Sequence, residues 1–406
     1  MSVWSGKKRA LTVLLFLLPT IIAILIFNIY PTILNIYISF TNRNKFRPNP
    51  DCEVGLTGVL DPLCWPAFKD KAPVGLGDPY RLADPLLKNY GDLLGTLFTA
   101  ESLISLVKVL VCFVPLLVAN WLNKRFSKEA TPPISSTWIW IIAVILCVFL
   151  GLIVNFGNSL NTLMETGDFI VVVFRTILFV LVRVPLTFLI GLILALVLNS
   201  SNLPGRTFFR VMLFIPWGAS AVAILMSLVW QFMFREQGTI NQLLLALFNI
   251  KGQVWLNKPA SAFGAIVLAD IWFSYPFFMV SILGALQSIP TELYEAADVD
   301  GASWFQQLMN ITLPLIRPAV LPAIVLTSIT AFQMFGTAYA ITGGGPQLAA
   351  DKPGATEFVM VYAYRIIYSV QNYGRATAFA VMIFIMLFLA TLWSLRVTKL
   401  TKGANA

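Results

Sequence analysis

Apolar positions in this chain do not alternate, nor do they recur only at every third or fourth place. They run almost unbroken for about twenty residues at a time, the length that crosses a hydrocarbon core of about 30 Å as a helix. Eight such runs fall at 11–38, 102–122, 137–156, 170–199, 209–233, 261–287, 317–341 and 377–396. Each is read as one membrane span, numbered 1 to 8 in order, and the fold class expected is an all-α polytopic membrane protein. The third run, "TWIWIIAVILCVFLGLIVNF", could also form a tight re-entrant element; a full span is the expectation. The first follows a basic start, Lys7-Lys8-Arg9. It is too long for a signal peptide and no small-x-small site follows it, so a retained helix is expected.

Composition sharpens the picture. Of 406 residues, 58% are hydrophobic and 12% charged, against roughly a quarter charged in soluble domains. The chain has no histidine, which argues against histidine metal sites, Ser-His triads and histidine proton relays. A net charge of +9 fits lysine and arginine held on the cytoplasmic side better than it fits nucleic acid binding.

Charge also sets direction. Lys7–Arg9 precede span 1, Lys124, Arg125 and Lys128 join spans 2 and 3, Arg206 and Arg210 join spans 4 and 5, and Arg396, Lys399 and Lys402 follow span 8. The connection between spans 3 and 4, "GNSLNTLMETGDF", has acids and no basic residue. Both termini are therefore expected on the cytoplasmic side of the membrane. Lys108, Arg175 and Arg183 lie within spans and are expected to snorkel to the interface. Asp270, well inside span 6, has a side chain too short for that and is a functional-site candidate, the alternative being pairing with a neighbouring arginine.

Between the spans the chain divides into a tip and first helix (1–40), an external loop (41–100), an added helix pair (101–168), a core of spans 4 to 8 (169–400) with a loop at 288–318, and a tail (401–406). The 41–100 loop is rich in proline, glycine and aspartate and shows no convincing periodic helix. It holds Cys52 and Cys64, the only cysteines outside the spans; in an external compartment they are expected to form a disulfide. Cys112 and Cys147 fall in spans 2 and 3, as small packing residues. "TGGGPQ" after span 7 lacks the Gly-Lys-Ser/Thr of a phosphate-binding loop and is read as a helix stop.

One stretch is unlike the rest. "TELYEAADVDGASWFQQLMNITLPLIRPAV" (291–320) sits between two apolar spans yet carries Glu292, Glu295, Asp298 and Asp300 within nine residues. It reads as a short helix entered at Pro290 and broken at Gly301, then a second helical piece ending at Pro314. The acids form one face, Ala296, Ala297 and Ala302 a surface that admits another backbone, and Trp304, Phe305 and Leu308 an apolar anchor. Anionic lipid would favour lysine at such a place, so a protein partner is the better reading.

"EAADVDGA" followed by "F…ITLPLIRP" resembles the EAA coupling loop of binding-protein-dependent ABC importer permeases. "NLPGRTFFRVMLFIPW", "GTINQLL", "DIWFSYPFFM", "ALQSIPTELYEAA" and "FGTAYAITGGGP" match the sugar-importing class. The resemblance covers 1–40 and roughly 165–400, and two spans beyond the usual six are placed as in the larger permease subunit of the maltose transporter. That subunit has its large external insertion between spans 3 and 4, whereas here the long loop precedes span 2.

The resemblance implies an ABC importer permease fold with a cytoplasmic EAA coupling helix. Its partners would be a second permease, two ABC ATPase subunits, an external solute-binding protein and a sugar-like substrate, in contact with membrane lipid. The chain itself would not be an enzyme and would hold no cofactor or metal, ATP and Mg belonging to the ATPases. Glu295, Ala296, Ala297, Asp300 and Gly301 match the coupling motif. The substrate positions carry over to Trp217 and Ala221 on span 5, to Asp270, Phe273, Ser274 and Phe277 on span 6, and to Thr330, Ala331 and Met334 on span 7, with Gln333 adjacent. The implied cargo is an oligosaccharide or related glycoside (maltose, maltooligosaccharide, trehalose or similar), the alternatives being glycerol phosphate, a compatible solute, or a self-contained secondary transporter. An intramembrane enzyme would need convergent acids or a nucleophile that the spans do not supply.

Overall fold

The computed structural model describes residues 7–53, 56–68, 78–126, 135–200 and 203–398. Lys128, Lys399 and the 401–406 tail with Lys402 lie outside the described residues. Among the described residues eight helices are long and apolar enough to cross a membrane: Thr12–Ser39, Ala100–Phe126, Ser136–Ile153, Asp168–Asn199, Arg206–Met233, Pro259–Leu286, Trp304–Phe332 and Tyr373–Leu392. They are spans 1 to 8. Among the described residues extended pairing is limited to isolated bridges.

Two compact units result. One holds the described residues up to Thr96 together with Ala363–Leu389. In it, residues 13–29 of span 1 are exposed on every side, a surface that only lipid or another subunit would cover. The end of span 1 is tied down by polar groups. Buried Asn89, on the helix Lys88–Leu97, donates to the carbonyls of Ser39 (2.9 Å) and Thr41 (2.8 Å), which the helix end leaves open. The Gly374 N–H bonds Arg43 O (2.9 Å), and Arg375 pairs with Asp92 at 2.6 Å.

The loop of this unit is organised around Tyr80, which is fully buried. Its hydroxyl donates to Asp61 (2.5 Å), Arg43 pairs with the same carboxylate at 3.5 Å, and the Arg43 guanidinium lies 5.0 Å over the Tyr80 ring. Burial, reinforced by Asp61, pushes the Tyr80 hydroxyl far above its ordinary range. Cys52 and Cys64 are joined by a disulfide with Cα atoms 5.3 Å apart. Short helices at Thr57–Leu60 and Lys88–Leu97 were not legible in the sequence. Each is too short for an apolar period to stand out.

The second unit holds Leu97–Tyr362 and the described residues from Ala390. Spans 2 and 3 pack through Ala119, Ile139 and Ala143, and the Cys147 thiol donates to Cys112 O at 2.5 Å. The connection after span 3 is itself a helix, Phe156–Thr166. The core lies among spans 4, 6 and 7, where Phe179, Ile266, Phe278, Ile282 and Ile316 are almost completely buried. Spans 4 and 6 meet at Gly191, where a Cβ would sit 2.6 Å from Phe278 Cβ and 3.0 Å from the Met279 nitrogen.

Span 7 departs from expectation. It starts at Trp304, runs through Pro314, Pro318 and Pro322, and ends at Phe332, where the pattern predicted a helix stop at Pro314 and a new span over 317–341. A π turn at Leu308–Thr312 makes the difference. A proline ring collides with the carbonyl four residues earlier; for Pro314 that residue is Asn310, inside the widened turn. Span 1 repeats the device, with a π turn at Leu25–Ile29 ahead of Pro31. Past Phe332 the helix is interrupted and resumes as Gly336–Thr342. It stops at Gly343, whose φ of 61° is the left-handed cap that glycine accepts without strain.

Gly191→Val is expected to lower the stability of the purified protein by about 1–3 kcal/mol, because the added atoms meet backbone as well as side chain; a thermal melt in detergent measures it. The Cys52–Cys64 link should appear as one joined peptide in non-reducing mapping. Its removal by Cys52→Ser is expected to cost about 3 kcal/mol in the chain-entropy model, read as faster proteolysis of the loop.

Candidate functional site

Arg183 stands near the middle of span 4, fifteen residues after Asp168, or about 22 Å along the axis at 1.5 Å per residue. An arginine side chain cannot span that distance to the interface. The structure buries it to 5% exposure and pairs its Nε with Oδ2 of Asp270, itself 8% exposed. Nη1 donates to Thr327 O (3.1 Å) and Nη2 to Ser274 Oγ (2.5 Å). Snorkelling is thus the wrong reading of Arg183, and Asp270 takes the arginine partner that was its alternative. Arg175 does not snorkel either: it donates to Gly354 O at 2.7 Å, fastening the segment after span 7. Lys108 is exposed.

Asp270 and Ser274, and likewise Phe273 and Phe277, are four residues apart on span 6 and share one stripe of the helix. Thr327 and Thr330 are three apart on span 7. These stripes border a cavity of about 390 Å³ with Arg183, Trp217, Ser220 and Thr337. Trp217, Phe273 and Phe277 supply flat apolar surface; Asp270, Ser274, Ser220, Thr330 and Thr337 supply oxygens.

Two helix interruptions reach this cavity. Span 5 tightens to a 3₁₀ turn at Ser220–Val222, just after Pro216 and Gly218, and the Ser220 hydroxyl bonds Trp217 O at 2.6 Å. Span 7 breaks after Phe332, and Thr337 begins the following short helix. Irregular backbone at membrane depth is tolerated where it lines a polar cavity or is buried in protein.

Six of the expected substrate positions meet here: Trp217, Asp270, Phe273, Ser274, Phe277 and Thr330. Ala221 is exposed and does not line it, although its neighbour Ser220 on the same 3₁₀ turn does. Gln333 ends span 7 and is exposed. Ala331, still on the helix, and Met334, just past its end, are both buried in the core. Arg183, Ser220, Thr327 and Thr337 were missed. The signal for Arg183 was its depth in span 4; for Thr337 none existed, since only the break in span 7 brings it in.

The expected coupling residues stand apart from the cavity. Glu292–Val299 is a helix, with Glu295, Ala296 and Asp300 exposed and Ala297 half-buried. Gly301 ends it with φ +71°, and a Cβ there would meet nothing within 4 Å. Ser303 and Gln306 form a capping box that starts span 7 anew. Val299, Trp304 and Phe305 are 89%, 66% and 62% exposed, a large apolar surface uncovered within this chain.

Apolar spans interrupted around a polar, aromatic-walled cavity define a polytopic transport protein. The chain belongs to the family of binding-protein-dependent transport system inner membrane components, whose model matches residues 187–402. It is 35% identical over 246 residues to a trehalose/maltose transport system permease protein of Thermococcus litoralis, covering 61% of this chain and 80% of that protein. It is 33% identical to a maltose/maltodextrin transport system permease protein of Vibrio vulnificus, covering 58% of this chain and 46% of that one. A galactooligosaccharides transport system permease protein of Bacillus subtilis is 30% identical, with 60% of this chain and 58% of that one covered. The chain thus spans about half the length of the last two. It is a multi-pass inner-membrane permease.

The ion pair makes a distinct prediction. Arg183→Met alone leaves a buried carboxylate unpaired and should cost about 3–5 kcal/mol, whereas Arg183→Met with Asp270→Leu should recover most of that loss. Thermal midpoints of the two purified variants decide it.

Proposed function

We propose that this chain is a transmembrane subunit of an ATP-driven importer and forms half of the translocation pathway for an oligosaccharide or related glycoside. The observation that carries this reading is the cavity. Sugars present flat apolar faces ringed by hydroxyls, and their sites combine aromatic surface with a few placed polar groups. Trp217, Phe273 and Phe277 with Asp270, Ser274 and Thr330 make that combination among spans 5, 6 and 7. The names of the three relatives point to the same class of cargo, maltose and trehalose among them.

The partners in this reading are a second permease, two ATPases that bind ATP and Mg, and an external solute-binding protein. Both termini lie on the cytoplasmic side, as does the loop before span 7. Glu292–Val299 then seats in an ATPase: its acids meet the partner's polar rim, and Ala296 and Ala297 let the helix approach closely. ATP-driven closure of the ATPases moves this helix and through it span 7, which is continuous from Trp304 to Phe332. The cavity residues Thr327 and Thr330 ride on that same helix.

Gly301 tests the coupling. Gly301→Ala probes the left-handed backbone alone, at a cost of about 1–2 kcal/mol; Gly301→Asp adds bulk and charge toward the partner. The expected outcome is that Gly301→Asp inserts and assembles weakly, or hydrolyses ATP without responding to the loaded binding protein, with Glu295→Lys milder. Binding-protein-stimulated ATPase activity of the reconstituted complex is the measurement. Full stimulation and normal uptake by Gly301→Asp would remove the coupling role.

A further inference from the structure

The Arg183 guanidinium is committed on three sides. Nε faces Asp270 Oδ2, Nη1 donates to the Thr327 carbonyl and Nη2 to Ser274 Oγ. This fixes what the cavity is offered. The Ser274 oxygen already accepts from the arginine, and its own hydrogen has no acceptor among the described residues, so it is free to donate. Asp270 lines the cavity; its Oδ2 is shut away against the guanidinium, and its Oδ1 has no hydrogen-bond partner among the described residues. One turn of span 6 thus presents an acceptor and a donor, from side chains about 5–6 Å apart at their Cβ atoms. Arg183, only 5% exposed, lines the cavity behind this pair, and every lining residue besides Arg183 and Asp270 is uncharged.

We infer that Arg183 is a specificity-determining positioning residue: it holds Asp270 and Ser274 as an acceptor–donor pair for neighbouring hydroxyls of an uncharged solute, and it excludes anionic solutes of the same size. This rests on the sugar-importing reading above. A sugar hydroxyl both donates and accepts, so a vicinal pair satisfies Oδ1 and the Ser274 hydrogen together. A carboxylate or phosphate on the solute meets the Asp270 carboxylate in a water-poor space, where like charges repel strongly. The ion pair is poor material for stability, since apolar residues of like volume serve as well or better. Its value here is orientation.

The test is saturation-transfer NMR on the membrane complex, this chain with its partner subunits in nanodiscs and without the external binding protein. The probes are maltose, trehalose and maltotriose as neutral sugars and maltobionate as an anion of disaccharide size. The wild-type complex is expected to saturate a neutral probe and to leave maltobionate at least about tenfold weaker, the scale on which a charged hydrogen-bonding site discriminates. Asp270→Asn keeps the shape and removes the negative edge, so the neutral-to-anion ratio should fall about tenfold. Arg183→Lys keeps the charge but loses the fork that reaches both Ser274 and Thr327, so neutral binding should drop about tenfold as well. Ser274→Ala leaves the ion pair intact and should weaken every neutral probe about fivefold through the lost donor. A residue that merely stabilised the fold would lower all signals together and leave the ratio unmoved. If the wild type saturates neutral sugars and Asp270→Asn keeps the wild-type ratio, or if the wild type takes maltobionate as well as maltose, the inference falls and the sugar reading stands. If no neutral probe is saturated, the sugar reading falls and the inference with it.

Discussion

A guanidinium and a carboxylate face each other midway between the ends of spans 4 and 6, where the surrounding solvent is hydrocarbon. Neither side chain can reach the membrane surface, so Arg183 and Asp270 pair with each other, and the arginine spends further donors on groups at the same depth. That requirement sets the register of three helices. Span 6 brings Asp270 and Ser274 one turn apart, span 7 brings the Thr327 carbonyl, and span 4 approaches span 6 closely because Gly191 has no side chain to hold Phe278 away. The same requirement puts polar groups on the cavity wall beside Phe273 and Phe277 of the same stripe of span 6.

Backbone groups obey the same rule as charges. In hydrocarbon an unsatisfied N–H or C=O costs several kcal/mol, roughly, so spans stay helical wherever lipid surrounds them. The 3₁₀ turn in span 5 and the break after Phe332 lie beside the cavity. Two prolines are absorbed by a wider turn. Pro31 and Pro314 each follow a π turn that moves the carbonyl their rings would strike, and the helix continues.

The loop that follows span 1 is built on other terms. It cannot bury long apolar runs, so it is held by a disulfide, by Asn89 on the carbonyls of Ser39 and Thr41, and by the Arg43–Asp61–Tyr80 cluster. Polar groups buried this deeply are stable because each is paired, and each pairing excludes another arrangement of the loop.

Much of the architecture was legible in the residues. Runs of apolar residues near the bilayer thickness dictate helices, because a backbone surrounded by lipid has no other way to satisfy itself, and eight runs became eight spans. The acids around Glu295 and the glycine at 301 marked an exposed helix and its end, since both are local matters of spacing and φ. Asp270, Ser274, Phe273 and Phe277 could be placed on one stripe by counting along span 6. What counting could not reach was which helix stands opposite that stripe. Arg183 meets Asp270 from span 4, Thr337 enters after a break that the apolar pattern runs straight through, and Met334 turns away from the cavity into the core. These depend on the packing of helices distant in the chain. Hydropathy is a property of single segments, and it carries no information about which segments touch.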